Sequence, residues 1–214
     1  MKFFDKIIDK MIVKTPSVDT DRLMLEEFQK YEKFNNQRSK KILDVINKDM
    51  NKLRSSNLGI KYGEDMLNQT TSMIDQIKNF TGNSRYASSL AYTIDCARWY
   101  ALYYMNSDKA REDQEIDKTT DRLVDIYDLI VLITLKYINR DRREKLSYKN
   151  NQFHGMLTED GKTIMNFTAS KTMALSELVY ALRDQDNTGV FEAYNKLGET
   201  NLNQFTPSPF PEFE

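Results

Sequence analysis

Apolar residues recur along most of this chain at intervals of three and four, the spacing that gathers side chains on one face of an α-helix. Phe3, Phe4, Ile7, Ile8, Met11 and Ile12 predict an amphipathic helix over about 2–13, ended by Pro16. A long second helix follows over about 20–54, with Asp19 or Thr20 as its cap. Its marks are Met24, Phe28 and Tyr31, then Ile42, Ile46, Met50 and Leu53; between them Asn35–Lys41 is wholly polar. After a loop around Asn57–Gly63, Met66, Met73, Ile77 and Phe80 predict a third helix over about 64–80, closed by Gly82-Asn83.

The fourth helix, about 85–106 with Ser84 as its cap, carries two apolar stripes. One is Tyr86, Leu90, Ile94, Ala97 and Ala101; the other is Tyr92, Cys96, Trp99 and Tyr103. A helix apolar on two faces belongs at the centre of a bundle. The fifth helix, about 113–140, is apolar from Leu123 to Ile138 and is expected beside it. Further on, Asp160-Gly161 between short apolar runs predicts a β-hairpin over about 152–167. Helices over about 170–184, with Leu175, Leu178, Val179 and Leu182 inward, and about 188–197 complete the body.

The last residues break the pattern. Pro207, Pro209 and Pro211 alternate with other residues, and Phe205, Phe210 and Phe213 are set around them. Proline fixes φ and donates no backbone hydrogen bond, so this stretch predicts an extended, polyproline-like arm with three docking rings. The expected fold class is therefore mainly α: a multi-helix bundle with one small hairpin and an extended Pro/Phe arm. The expected organisation is a bundle over 1–147, a hairpin with two helices over 148–200, and the arm over 201–214.

Composition narrows the picture. The 214 residues are 40% hydrophobic and 29% charged, with seven glycines, a globular and helix-rich balance. One cysteine, Cys96, excludes an internal disulfide framework and fits a reducing compartment. The charged N-terminal stretch does not read as a signal peptide, and the longest apolar run, Leu129–Ile133, is far too short to span a membrane. The chain is expected to be made in the cytoplasm, without membrane contact. Net charge is −1, but residues 1–60 hold 13 Lys/Arg against 9 Asp/Glu, and residues 150–214 hold 4 against 9. Opposite charge at the two ends can guide contact between subunits.

Most catalytic templates fail. One histidine, His154, and one cysteine cannot build a His/Cys metal cluster, and no Glu-x-x-His pair, phosphate loop or nucleophile elbow occurs. The sharpest chemical candidate is Asp117, Asp121, Asp125 and Asp128, whose spacing places four carboxylates along one helix face. Such a stripe can bind magnesium or share a raised pKa; the competing expectation pairs Asp125 and Asp128 with arginines such as Arg98. A basic group, Arg140, Arg142, Arg143, Lys145 and Lys149, lies at and beyond the end of the fifth helix. It complements the helix dipole and offers a possible nucleic-acid contact.

Two resemblances bear on function. The stretch Phe167-Thr-Ala-Ser-Lys-Thr-Met-Ala-Leu-Ser-Glu-Leu-Val-Tyr-Ala-Leu182 resembles part of the RteC-type regulators of conjugative elements. There a Trp-Thr-Gly-Ser-Lys turn precedes a Leu-x-Glu-Leu-x-Tyr-Ala-Leu helix, and the likeness implies a DNA-binding winged-helix region. Here Phe167 and Ala169 stand for the tryptophan and glycine, and one extra residue follows Lys171. In architecture, a helical body with an extended arm is similar to the head–tail adaptor or ring subunits of tailed bacteriophages. That likeness implies a homo-oligomeric virion protein beside a ring or portal-like neighbour. The leading expectation is thus a non-enzymatic assembly subunit needing no cofactor, gripping its partner through Phe205, Pro207, Pro209, Phe210, Pro211 and Phe213. The alternatives are a DNA-binding regulator using the 152–184 unit and a magnesium-dependent helical enzyme.

Overall fold

A computed structural model describes residues 18–146 and 159–205, with side chains described over 36–137 and 160–205. Six α-helices follow one another: α1 (Val18–Arg54), α2 (Asn57–Thr81), α3 (Ser84–Asn106), α4 (Asp113–Leu146), α5 (Glu159–Arg183) and α6 (Asn187–Gly198). Two 3₁₀ turns, Asp108–Arg111 and Leu202–Phe205, complete the described elements, and no strand occurs among them. The predicted helix over 2–13 lies outside the described residues.

The chain divides into two compact units, Met1–Lys41 and Ile42–Glu214. In the first unit the described residues are the opening turns of α1, which stays helical through the polar stretch Asn35–Lys41. There Asn36, Gln37, Arg38, Lys40 and Lys41 are exposed. In the second unit the far end of α1 brings Ile42, Ile46 and Met50 into the core.

The expected loop at 57–63 is helical instead. Ser56 caps α2 by accepting the Leu58 amide at 3.2 Å, and Leu58 and Tyr62 pack against the core, so helix begins about two turns earlier than the apolar spacing implies. The join to α1 is close enough to demand glycine: a Cβ on Gly59 would lie 1.7 Å from the carbonyl oxygen of Arg54. At the far end Gly82 takes φ +61° and donates its amide to Lys78 O at 2.8 Å, closing α2 in the left-handed conformation. The cap of α3 is Asn83 rather than Ser84; its side chain accepts the Tyr86 amide at 3.0 Å.

α3 is the centre of the bundle, in contact with α2, α4, α5 and α6. Ala87, Ala91, Ala97 and Ala101 are all fully buried, and these small side chains let neighbouring helices approach closely. Leu90, Ile94, Trp99 and Leu102 fill the space between them, against Ile116, Leu123, Ile126 and Ile130 of α4. α4 extends past its expected end at 140 to Leu146.

The predicted hairpin is corrected where it can be seen. Residues 152–158 lie outside the described residues, but 159–167 form the first turns of α5, and the helix expected over about 170–184 therefore starts at Glu159. Ile164, Phe167, Lys171, Leu175, Leu178 and Leu182 keep one helical register and are all buried. That continuous stripe outweighs the local turn preference of Asp160-Gly161. The turn that the RteC resemblance implies at 167–171 is likewise helical here, within α5. α5 and α6 contribute to the same hydrophobic core as α3 and α4.

Candidate binding surface at the arm root and outer face of α5

The core contains charges, and most of their polar atoms are satisfied from within. Asp95 of α3 is buried and accepts from Arg54 Nη2 at 3.0 Å, Thr70 Oγ1 at 2.9 Å and Trp99 Nε1 at 3.2 Å. Burial raises its pKa, and the Thr70 hydroxyl and Arg54 partly offset that rise. One turn on, Arg98 is buried too. It donates to Gln69 Oε1, its guanidinium carbon sits 4.6 Å from the Tyr194 ring centroid, and a Cβ on Gly198 would lie 3.2 Å from it. The expected pairing of Arg98 with Asp125 or Asp128 is not how this arginine is held.

A second polar group joins α1, α3 and α4. Tyr100 donates to Asp49 Oδ2 at 2.9 Å, while Arg122 lies 3.5 Å from Asp49 and 3.6 Å from Asp125. Burial and the Asp49 charge push the Tyr100 hydroxyl upward, so it stays protonated. Cys96 is buried, and burial, then the Asp95 charge, push its thiol up to about 12. A thiol so disposed is not a nucleophile at neutral pH.

Among the described residues, Lys171 of α5 is the most completely buried charge, with none of its surface exposed. Its Nζ donates to the carbonyls of Lys196 at 2.6 Å and Glu199 at 2.7 Å, at the C-terminal end of α6, and it lies 5.0 Å from the Phe167 ring centroid. The negative end of the helix dipole favours a cation there. Burial nevertheless lowers its pKa to about 8, against the raising effect of Glu199 and with a smaller lowering contribution from Arg98.

These buried contacts lead the chain to the start of the predicted arm. Beyond Glu199, Gln76 of α2 donates to Thr200 Oγ1 at 3.4 Å and accepts the Leu202 amide at 3.1 Å. Leu202 is fully buried. Phe205 ends the 3₁₀ turn half-buried, its ring edge-on to Phe167 with centroids 5.5 Å apart, and its carbonyl accepts from Asn166 Nδ2 at 3.1 Å. Residues 202–205 are therefore not extended, as expected of an arm starting at 201; they are packed on the body. Of the expected partner-binding residues, Phe205 is an anchor, whereas Pro207, Pro209, Phe210, Pro211 and Phe213 lie outside the described residues.

The outer face of α5 was missed by the sequence reading. Met165 is 44% exposed, and Met173 and Tyr180 are each 66% exposed. With Ala169, Thr172 and Ser176 they form an uncharged stripe along the helix. The two hydroxyls are turned back to the helix backbone, Thr172 to Ala169 O at 2.9 Å and Ser176 to Thr172 O at 3.0 Å. The stripe thus presents mostly carbon and sulfur to its surroundings. Its signal was available in the spacing of 165, 173 and 180, but the inward leucines of the same helix are more conspicuous.

The expected carboxylate stripe is not assembled as a metal site among the described residues. Asp117 and Asp121 are exposed, Asp125 sits by Arg122, and no group of His, Cys, Asp or Glu among the described residues is arranged to hold a metal ion. Arg140, Arg142, Arg143 and Lys145 fall in the last turns of α4, with side chains outside those described, and Lys149 and His154 lie outside the described residues altogether. No described helix is long and apolar enough to cross a membrane.

Fold and surface together define a class: a mainly α-helical bundle with buried polar cross-ties and an uncharged outer stripe beside the root of a Pro/Phe segment. The chain matches no protein-family model, no curated protein and no solved structure.

Proposed function

We propose that this chain is a non-enzymatic assembly subunit that joins like copies, and a ring- or portal-like neighbour, through residues 205–214. One observation carries this reading. Phe205 is fixed to the body by Phe167 and Asn166, so the Pro/Phe segment begins at a defined point on a rigid helix. An arm with a fixed root and proline-restricted backbone loses little conformational freedom on docking, which favours binding. A head–tail adaptor subunit of a virion is the most concrete form of this reading, and a helical body with an arm is what supports it.

The competing readings have less support. Lys171, in the stretch that resembles RteC-type regulators, is buried on α6 and out of reach of a phosphate. The test is removal of residues 206–214, with the native mass measured by light scattering and helicity by circular dichroism. Loss of an oligomer with helicity retained is the expected result. An oligomer of unchanged mass overturns the reading, as does a full-length chain that is monomeric at working concentrations.

A further inference from the structure

The carboxylates of α4 and the cations near its end belong to one continuous helix, Asp113–Leu146. Residues 113–128 hold six Asp/Glu against Lys118 and Arg122, a net charge of −4. Residues 129–146 hold five Lys/Arg against Asp141 and Glu144, a net charge of +3. The helix dipole accounts for acids in the first turn and cations in the last, and its effect fades beyond them. Asp121, Asp125 and Asp128 lie about two to four turns inside, and Lys136 lies about three turns short of the end. The dipole therefore does not explain the division of charge along the helix.

The same helix has a second apolar face. Ile116, Leu123, Ile126 and Ile130 are buried on the inward side. Away from them Val124 is 52% exposed and Leu135 is 37% exposed, with half-buried Val131 between them. These three share a register with exposed Asp117 and Asp121 and half-buried Asp128. Positions 117, 121, 124, 128, 131 and 135 are separated by alternate steps of four and three, the spacing of a coiled-coil seam. The same steps along the helical backbone reach Ile138, Arg142 and Lys145. In order, the seam is acidic, then apolar around Val131, then basic, with Asp128 the one charge within its apolar part.

Charge selects what covers this seam. The two cations of the acidic half are engaged within their own chain: Lys118 lies 3.3 Å from Glu115, and Arg122 lies 3.5 Å from Asp49 and 3.6 Å from Asp125. Asp117 and Asp121 have no ion partner among the described residues. A parallel copy of α4 sets acid on acid and base on base. An antiparallel copy sets each acidic end on the other's basic end, and each apolar middle on the other's. Sliding the pair by one heptad loses this match. One direction brings Asp128 of the two copies together, and the other carries Asp117 and Asp121 past Leu146, where α4 ends.

We propose that α4 pairs with α4 of a second copy of this chain, antiparallel, about a two-fold axis that passes beside Val131. A two-fold contact needs a surface complementary to itself, and a helix acidic at one end, apolar in the middle and basic at the other is such a surface. The contact goes beyond the assembly reading, because it uses neither the arm nor α5 and closes on a pair instead of continuing around a ring. It also gives the carboxylate stripe and the basic group one shared role.

Cys96, the single cysteine, is buried, so introduced thiols can be read without interference. Full-length chains carrying Val131→Cys, Val124→Cys or Asp117→Cys are each treated with a short thiol-specific cross-linker under native conditions. In the antiparallel pair the two copies of residue 131 meet at the axis, whereas residues 124 and 117 lie about 21 and about 42 Å from their counterparts along the helices. Val131→Cys should therefore give a covalent dimer, and the other two should not. Separately, Asp117→Lys with Asp121→Lys should weaken self-association by about tenfold in sedimentation, and adding Arg142→Asp and Lys145→Asp to the same chain should restore it. Cross-linking at all three positions means a parallel pair, and cross-linking at none means that copies do not meet through α4; either overturns the proposal. So does a second reversal that fails to restore association. Removal of 206–214 separates this contact from the arm, and the Val131→Cys dimer should survive it. If the dimer is lost with the arm, this proposal falls and the assembly reading stands. If the dimer survives and the removal leaves the native mass unchanged, the assembly reading falls and the α4 pair stands.

Discussion

Replacing Lys171 by methionine tests the account of the buried charges. The two side chains are similar in length, so packing against Phe167 is largely kept while the ammonium is lost. The carbonyls of Lys196 and Glu199 then face a thioether instead of a donor at 2.6 and 2.7 Å. An unsatisfied buried acceptor costs about 1–3 kcal/mol, so two give an expected loss of about 2–6 kcal/mol near pH 7. The pH dependence adds a second, independent reading. An ammonium ordinarily near 10.5 is lowered to about 8 in the folded chain, so between those values the unfolded chain binds more protons. The folded state therefore gains stability as pH rises through that window, by about 3 kcal/mol in total. Neutral lysine still donates to both carbonyls, and methionine has neither the titration nor the bonds. The stability gap between the two proteins should widen from pH 8 to pH 10.5, with the titration of other lysines and tyrosines cancelling in the difference. Urea unfolding followed by Trp99, the only tryptophan and a buried one, measures it at each pH. Equal stability at pH 7, or a gap that stays constant or narrows with pH, refutes the reasoning.

Three further substitutions probe the core and the glycines of α2. Asp95→Ala leaves the buried Trp99 Nε1 without its acceptor, while Thr70 keeps the Met66 carbonyl and Arg54 reaches solvent, and should destabilise by about 1–3 kcal/mol, read as a lower urea midpoint. Gly59→Ala should cost about 2–3 kcal/mol, because the new methyl meets the Arg54 carbonyl; it is read in the same assay. Gly63→Ala, on the same helix with nothing within 4 Å of the new methyl, should instead stabilise by up to about 1 kcal/mol.

Helices α1, α3 and α4 were legible because their apolar residues repeat over many turns and no local signal competes. The errors arose where a short signal was set against a long one. Asp160-Gly161 has strong turn chemistry, yet Ile164, Phe167 and Lys171 continue the register of Leu175 and Leu178, and burial of that face decides the conformation. Gly59 and Gly63 read as loop residues, whereas one is required by a close helix junction and the other is merely tolerated. Buried charge was the least legible feature. The spacing of Lys171 puts it on the inward face, but what satisfies its charge there is invisible in the sequence, since its acceptors are backbone carbonyls of another helix. The outer stripe was hidden for the opposite reason: an apolar residue every seven or eight positions is sparse beside the inward stripe of the same helix.

The buried polar groups also bear on where the arm begins. Apolar helix faces tolerate small slides, because burial depends on area and not on direction. Hydrogen bonds do not, since donor and acceptor must meet within a few tenths of an ångström. Between residues 196 and 205 the backbone is held at successive points by side chains of two other helices. Lys171 takes the carbonyls at 196 and 199, Gln76 takes the amide at 202, and Asn166 takes the carbonyl at 205. Sliding α6 by one turn breaks all of these contacts at once. The exit of the Pro/Phe segment is therefore positioned by polar contacts, and the lysine that costs the core a buried charge is the first of them.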